Sequence, residues 1–88
     1  MTTNTITTKD IQEITKMFKF FAEDSKKDKS SYTREQAAEF KLIYESFLNG
    51  NYNLYKLQIK SFIEDLILGA EVGAVESLNR YKRFNSFF

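Results

Sequence analysis

The chain contains no proline and only three glycines, at positions 50, 69 and 73. These two residues punctuate strands and tight turns, so their scarcity leaves long stretches with nothing to interrupt a helix. Apolar residues recur three and four apart through those stretches, the spacing that gathers one face of a helix. The expected fold is all-α, a small bundle of three helices with the third long or broken near Gly69, paired as a dimer. At 88 residues one core is the ceiling, because so short a chain buries only about 60% of its unfolded surface. The expected organisation is one helical domain over residues 1–88, with a flexible N-terminus at 1–6, a polar loop at 23–32 and a tail at 84–88 that is either core or flexible.

The first helix is expected to begin at Thr7 or Thr8 as N-cap, with Asp10 and Glu13 where the helix dipole favours anions. Ile11, Ile14, Met17, Phe18, Phe21 and Ala22 then share a face, and Phe20 points away among Lys9, Glu13 and Lys16. The run EDSKKDKSSY, residues 23–32, reads as a frayed end and a solvated loop. Its Lys26, Lys27 and Lys29 suggest phosphate binding, but Asp24 and Asp28 within the same run favour a plain soluble linker. The second helix opens on TREQ, where Thr33 and Gln36 have capping-box spacing. Ala37, Phe40, Ile43, Tyr44, Phe47 and Leu48 form its stripe, and Asn49-Gly50 supplies a left-handed C-cap.

The third helix is expected to start at NYN. Its stripe is Tyr52, Tyr55, Ile59, Phe62, Ile63, Leu66, Ile67 and Ala70, with Leu54, Leu57, Leu68 and Val72 on the far side. Apolar residues on both sides suit the middle of a bundle or an oligomer seam. In GAEVGA, residues 69–74, each glycine weakens a helix by about 1 kcal/mol relative to alanine. The segment is either a hinge or a small-residue notch at Gly69, Ala70, Gly73, Ala74 and Ser77; continuation of the helix with close packing is the favoured expectation.

Chemistry is constrained by two absences: the chain has neither Cys nor His. That removes disulfides, thiolate nucleophiles, the commonest general base and the commonest transition-metal ligands. Glu64 and Asp65 diverge on a helix, and Glu35 and Glu39 read as a solvated pair. No catalytic residue, metal ligand or cofactor is therefore assigned, and the protein is not expected to be an enzyme. The N-terminus lacks the features of a secretory signal, and no apolar run reaches the roughly 18 residues a membrane span needs, so a cytoplasmic location away from membranes is expected. A net charge of +1 argues against a surface devoted to nucleic acid.

The chain ends RYKRFNSFF, with Arg80, Lys82 and Arg83 among Tyr81, Phe84, Phe87 and Phe88. On a continuing helix, Ala74, Tyr81, Phe84 and Phe88 extend the third stripe and the cations are solvated. The same residues also suit stacking on unpaired bases, which makes a small nucleic-acid or nucleotide-binding protein the alternative function. The principal expectation is a non-enzymatic interaction module acting on a host or cellular protein, such as an inhibitor or adaptor carried by a phage or mobile element. Its partner-binding residues would be Phe20, Tyr81, Arg83, Phe84 and Phe88, with a homodimer expected to bury apolar residues in a shared core.

The segment TREQAAEF, residues 33–40, with Tyr55 and Lys60 after it, resembles the capped second-helix start of the small phycobilisome-degradation adaptor proteins. The resemblance implies a dimer of helical hairpins acting as a non-enzymatic adaptor between phycobiliproteins and a chaperone-protease. The first-helix segment departs from that family's pattern and the stretch from Ile63 onward has no counterpart in it, so no functional residue is carried over.

Overall fold

The computed structural model of the chain describes residues 5–88. Residues 1–4 of the expected flexible N-terminus lie outside them. Four α-helices follow in order, α1 (Thr8–Lys27), α2 (Arg34–Asn49), α3 (Lys56–Gly73) and α4 (Val75–Asn85), with a 3-10 turn over Tyr52–Tyr55. The all-α expectation holds, but the three-helix count is corrected to four. The chain falls into two compact units: Thr8–Leu54, holding α1 and α2, and Tyr55–Phe88, holding α3 and α4.

In the first unit α1 packs on α2. The buried side of α1 is Asp10, Ile14, Phe18, Ala22 and Ser25, successive positions three or four apart. The facing side of α2 buries Phe40, Ile43, Ser46 and Phe47. Rings carry the contact. Phe18 stacks on Phe47 with centroids 5.9 Å apart, and Phe47 stacks in turn on Tyr52 at 4.8 Å. A second series runs from Phe21 to Phe40 at 5.6 Å and from Phe40 edge-on to Tyr32 at 5.8 Å. Because a later α1 residue meets an earlier α2 residue, the two helices are antiparallel. Aromatic pairs of this kind contribute about 0.5–1.5 kcal/mol each beyond the area they bury.

Two serines interrupt these buried faces without leaving a hydroxyl unsatisfied. Ser25 Oγ donates to the Ala22 carbonyl at 2.9 Å and Ser46 Oγ to the Ile43 carbonyl at 2.6 Å. Such back-bonding lets a small polar residue occupy an apolar stripe.

The helix α1 reaches Lys27, taking in half of the segment that composition reads as loop. Ser25 faces inward there, and Lys26 and Lys27 lie in the last turn, where the dipole favours cations. The turn that follows is held by its own hydroxyls. Ser30 Oγ donates to Asp28 Oδ1 and Ser31 Oγ to Asp28 Oδ2, both at 2.8 Å, while Tyr32 OH donates to Asp24 Oδ2 at 2.7 Å. The capping box then starts α2 as expected: Gln36 N–H donates to Thr33 Oγ1 at 3.0 Å and Thr33 N–H to Gln36 Oε1 at 2.9 Å. Gly50 closes the helix at φ 78°, a left-handed backbone that a side chain would strain.

In the second unit α3 packs on α4. The expected start at NYN is a 3-10 turn, and α3 proper begins at Lys56. Ile59, Ile63 and Ala70 are buried on α3 and Phe84 on α4. The helix passes through Gly69 and breaks at Ala74, whose φ of −133° and ψ of 57° are not helical. Ala74 N–H donates to the Ala70 carbonyl at 3.1 Å, ending α3, and its own carbonyl accepts from Ser77 N–H at 2.9 Å, beginning α4. Beyond the helix's own backbone, no described atom lies within 4 Å of where a Cβ would stand on Gly69 or Gly73. The favoured expectation of an unbroken, closely packed helix is therefore corrected: these glycines face open space and the chain turns directly after them.

Three outcomes test this account of the first hairpin. Thr33→Ala, which removes the capping box, should lower stability by about 1 kcal/mol in urea titration. The Asp24 carboxylate, by accepting from the Tyr32 phenol, raises that phenol above its ordinary value of roughly 10. A raised folded value means the bond's stabilisation is intact below the unfolded value and is lost as pH climbs through the folded one. As pH rises from roughly 10 through the higher folded value, wild type should therefore lose more in melting temperature than Tyr32→Phe, and Asp24→Asn should move the highest tyrosinate absorbance transition downward.

Candidate interaction surface

The two units expose large apolar side chains that no core contact accounts for. On the α3–α4 unit these are Leu57, Leu68, Val72 and Val75, with Val72 89% exposed. At 100° per residue Leu57, Leu68 and Val72 lie within one sector of α3, opposite the Ile59–Ile63 stripe. Ser61 and Glu64 occupy the same sector between them and are also exposed, so its apolar character is concentrated at the two ends. Leu68 and Val72 are one turn apart, and Val75 follows directly after the break at Ala74. Burying such a side chain against a partner stabilises by roughly 1.5–3 kcal/mol. On the α1–α2 unit the exposed set is Phe20, Leu42, Leu48 and Leu54.

The five residues expected to bind a partner have different surroundings. Phe20 belongs to the α1–α2 unit and is 61% exposed, with its ring set edge-on to Phe21 at 5.5 Å. It thus extends the Phe21–Phe40–Tyr32 series outward. Tyr81, Arg83, Phe84 and Phe88 all belong to α4 and the residues just after it. Phe84 is 1% exposed and is a core ring. Tyr81 and Phe88 are half-buried, and Arg83 is exposed.

The terminal cations are partly engaged by their neighbours. The Arg80 guanidinium lies 5.5 Å from the Tyr81 ring centre, and that of Arg83 lies 5.4 Å from the Phe87 ring centre. These are cation–π distances, and at exposed sites each contact contributes about 0.5–1 kcal/mol. The backbone closes on itself beyond α4, with Phe87 N–H donating to the Phe84 carbonyl at 3.1 Å and Phe88 N–H to the Asn85 carbonyl at 3.2 Å.

Sequence reasoning placed Leu54, Leu57, Leu68 and Val72 on the far side of the third helix, and all four are exposed. It passed over Val75, although on an unbroken helix that residue, 18 positions or about five turns after Leu57, would fall in the same sector. Among the described residues no helix is long and apolar enough to cross a membrane. No family model, curated protein or solved structure gave a match to the chain.

Core and surface rings should separate under mutation. Phe84→Ala should cost about 3–5 kcal/mol in chemical denaturation, as full burial of a large ring implies, whereas Phe20→Ala should cost under about 1 kcal/mol. Equal losses at the two positions would contradict the placement of both.

Proposed function

We propose that the protein is a non-enzymatic interaction module that works by presenting apolar helical surface to another protein, as an inhibitor or adaptor of a host or cellular protein does. The observation that supports this reading is the exposed series Leu68, Val72 and Val75 around the α3–α4 corner, with Leu57 further along the same sector. Scattered single apolar residues are ordinary on a protein surface, but neighbouring ones mark interaction sites. The composition points the same way, because a chain without imidazole or thiol lacks the commonest catalytic groups.

The binding face is placed on these residues, with Tyr81, Arg83 and Phe88 of the terminal segment as polar and aromatic contributors and Phe20 as a separate anchor on the other unit. Phe84, at 1% exposure, is buried and would contribute only through the core of its unit. The same apolar residues would form the seam of a homodimer, which makes self-association part of the proposal. A cytoplasmic setting follows from the kind of partner proposed.

The test is affinity capture from native cells with wild type and with Leu68→Asp and Val72→Asp, both fully helical by circular dichroism. Each substitution should reduce recovery of the captured protein by about tenfold, the loss that follows from about 1.4 kcal/mol of binding energy. Sedimentation of the same proteins reads the homodimer, which the aspartates should dissociate. Capture unaffected by either aspartate would remove this face from consideration.

A further inference from the structure

The turn between α1 and α2 surrounds an open cavity of about 470 Å³, a size within the roughly 300–1,000 Å³ of small-molecule sites. Its lining carries one sign of charge. Lys26, Lys29 and Arg34 all line it, and no carboxylate does. Among the described residues none of these three cations has an ion-pair partner.

The sequence places Asp24 and Asp28 in the same run as the lysines, where they would be expected to neutralise them. The folded turn gives those carboxylates other partners. Asp24 accepts from Tyr32 OH, and Asp28 accepts from the hydroxyls of Ser30 and Ser31. Hydroxyl donors thus hold Asp24 Oδ2 and both oxygens of Asp28, and the ammonium and guanidinium groups line a shared opening that no carboxylate lines. Like charges gathered in this way repel one another, and an anion between them reverses the sign of that interaction. Thr33 and Arg34, at the start of α2, also line the cavity, where the helix dipole adds positive potential. Tyr32 and Ala37 supply an apolar wall, the Tyr32 ring being set edge-on to Phe40.

We infer that this cavity binds a phosphorylated small molecule of up to nucleotide size. Its phosphate oxygens are held by Lys26, Lys29 and Arg34, and its organic part lies against Tyr32 and Ala37. A guanidinium can take two oxygens of one phosphate side by side, while the flexible ammonium groups act as point charges on the remainder. A ligand with two or more negative charges is favoured over a singly charged one, because three cations converge. This site is independent of the proposed protein-binding face and would stand if that face failed.

The experiment is calorimetric titration of the full chain at low salt with inorganic pyrophosphate, adenosine diphosphate and adenosine. Pyrophosphate should saturate with a dissociation constant below about 1 mM, adenosine diphosphate should bind more tightly, and adenosine should give no saturable heat. Lys29→Gln and Arg34→Gln should each weaken diphosphate binding by about tenfold, the usual scale for a charged hydrogen bond. Lys82→Gln on α4, a control of equal charge change, should leave it unaltered. All three side chains are exposed, so melting temperatures should stay at the wild-type value. Absence of saturation by either phosphate compound, or an equal loss in Lys82→Gln, would overturn the site. Adenosine diphosphate binding no more tightly than pyrophosphate would overturn the organic wall, and an oligonucleotide that binds more tightly per phosphate and survives Arg34→Gln would replace the small ligand with a polymer.

Discussion

Ring-on-ring contact between α1 and α2 is what the first hairpin depends on. A pair of helices this short has few positions facing inward, and without a disulfide or metal the stabilising area must come from large side chains. Phe18 against Phe47, and Phe21 against Phe40, supply it from both helices at once. The other features of the hairpin follow from these contacts. Tyr52 can stack only because Gly50 turns the chain back beside Phe47, and Tyr32 reaches Phe40 only because the turn after Lys27 is short. The Tyr32 phenol then meets Asp24, so the aromatic packing also fixes where a carboxylate points.

Among the described residues the fully buried side chains of the α3–α4 unit are aliphatic apart from one ring. Ile59, Ile63 and Ala70 present one side of α3, and Phe84 is the buried ring of α4. Because Ala74 ends one helix and begins the next, the unit has almost no connecting loop, and α4 starts without a side-chain cap. The missing cap leaves first-turn amides to be satisfied by the tight geometry of the turn or by solvent. That arrangement leaves Val72 and Val75 on the outside of a corner, where α3 and α4 cannot both cover them.

Helix existence and facing were legible because spacing of three and four is a local property. The stripes of α1 and α3 were read nearly residue by residue, down to Phe20 standing off the first and Leu57 and Val72 off the third. The α2 stripe was read one residue too far: Leu48 is 61% exposed, since its turn lies beside the C-cap. Buried Asp10, Ser25 and Ser46 were passed over because a polarity pattern assigns polar residues to solvent, and only the backbone partner taken by each serine explains its place. The hinge alternative put a break within GAEVGA, residues 69–74, ahead of a short fourth helix, and the break falls at Ala74, the last residue of that segment and not at its first glycine. A lone glycine inside a helix costs about 1 kcal/mol, which flanking turns can absorb, so Gly69 was no reliable marker of the end. The terminal rings had two readings, and only packing against α3 assigns Phe84 to the core.

The cation cavity shows why charge balance along a sequence is a poor guide to charge balance in space. Counted along the chain, Glu23, Asp24 and Asp28 against three lysines describe a neutral, well-solvated linker. The fold divides that run between a helix end and a turn, so that Lys27 does not line the cavity while Arg34, seven residues on and absorbed in the reading of the capping box, does. Serine and tyrosine hydroxyls complete the separation by taking the carboxylates. The Asp28 carboxyl is held below its ordinary value chiefly by the Ser31 hydroxyl and then by Ser30, which favours the ionised form that accepts from both. A cationic opening is thus built from a segment whose overall charge is modest, because its lining takes the cations of that segment and leaves out the carboxylates, which keep their charge and their hydroxyl partners elsewhere in the turn.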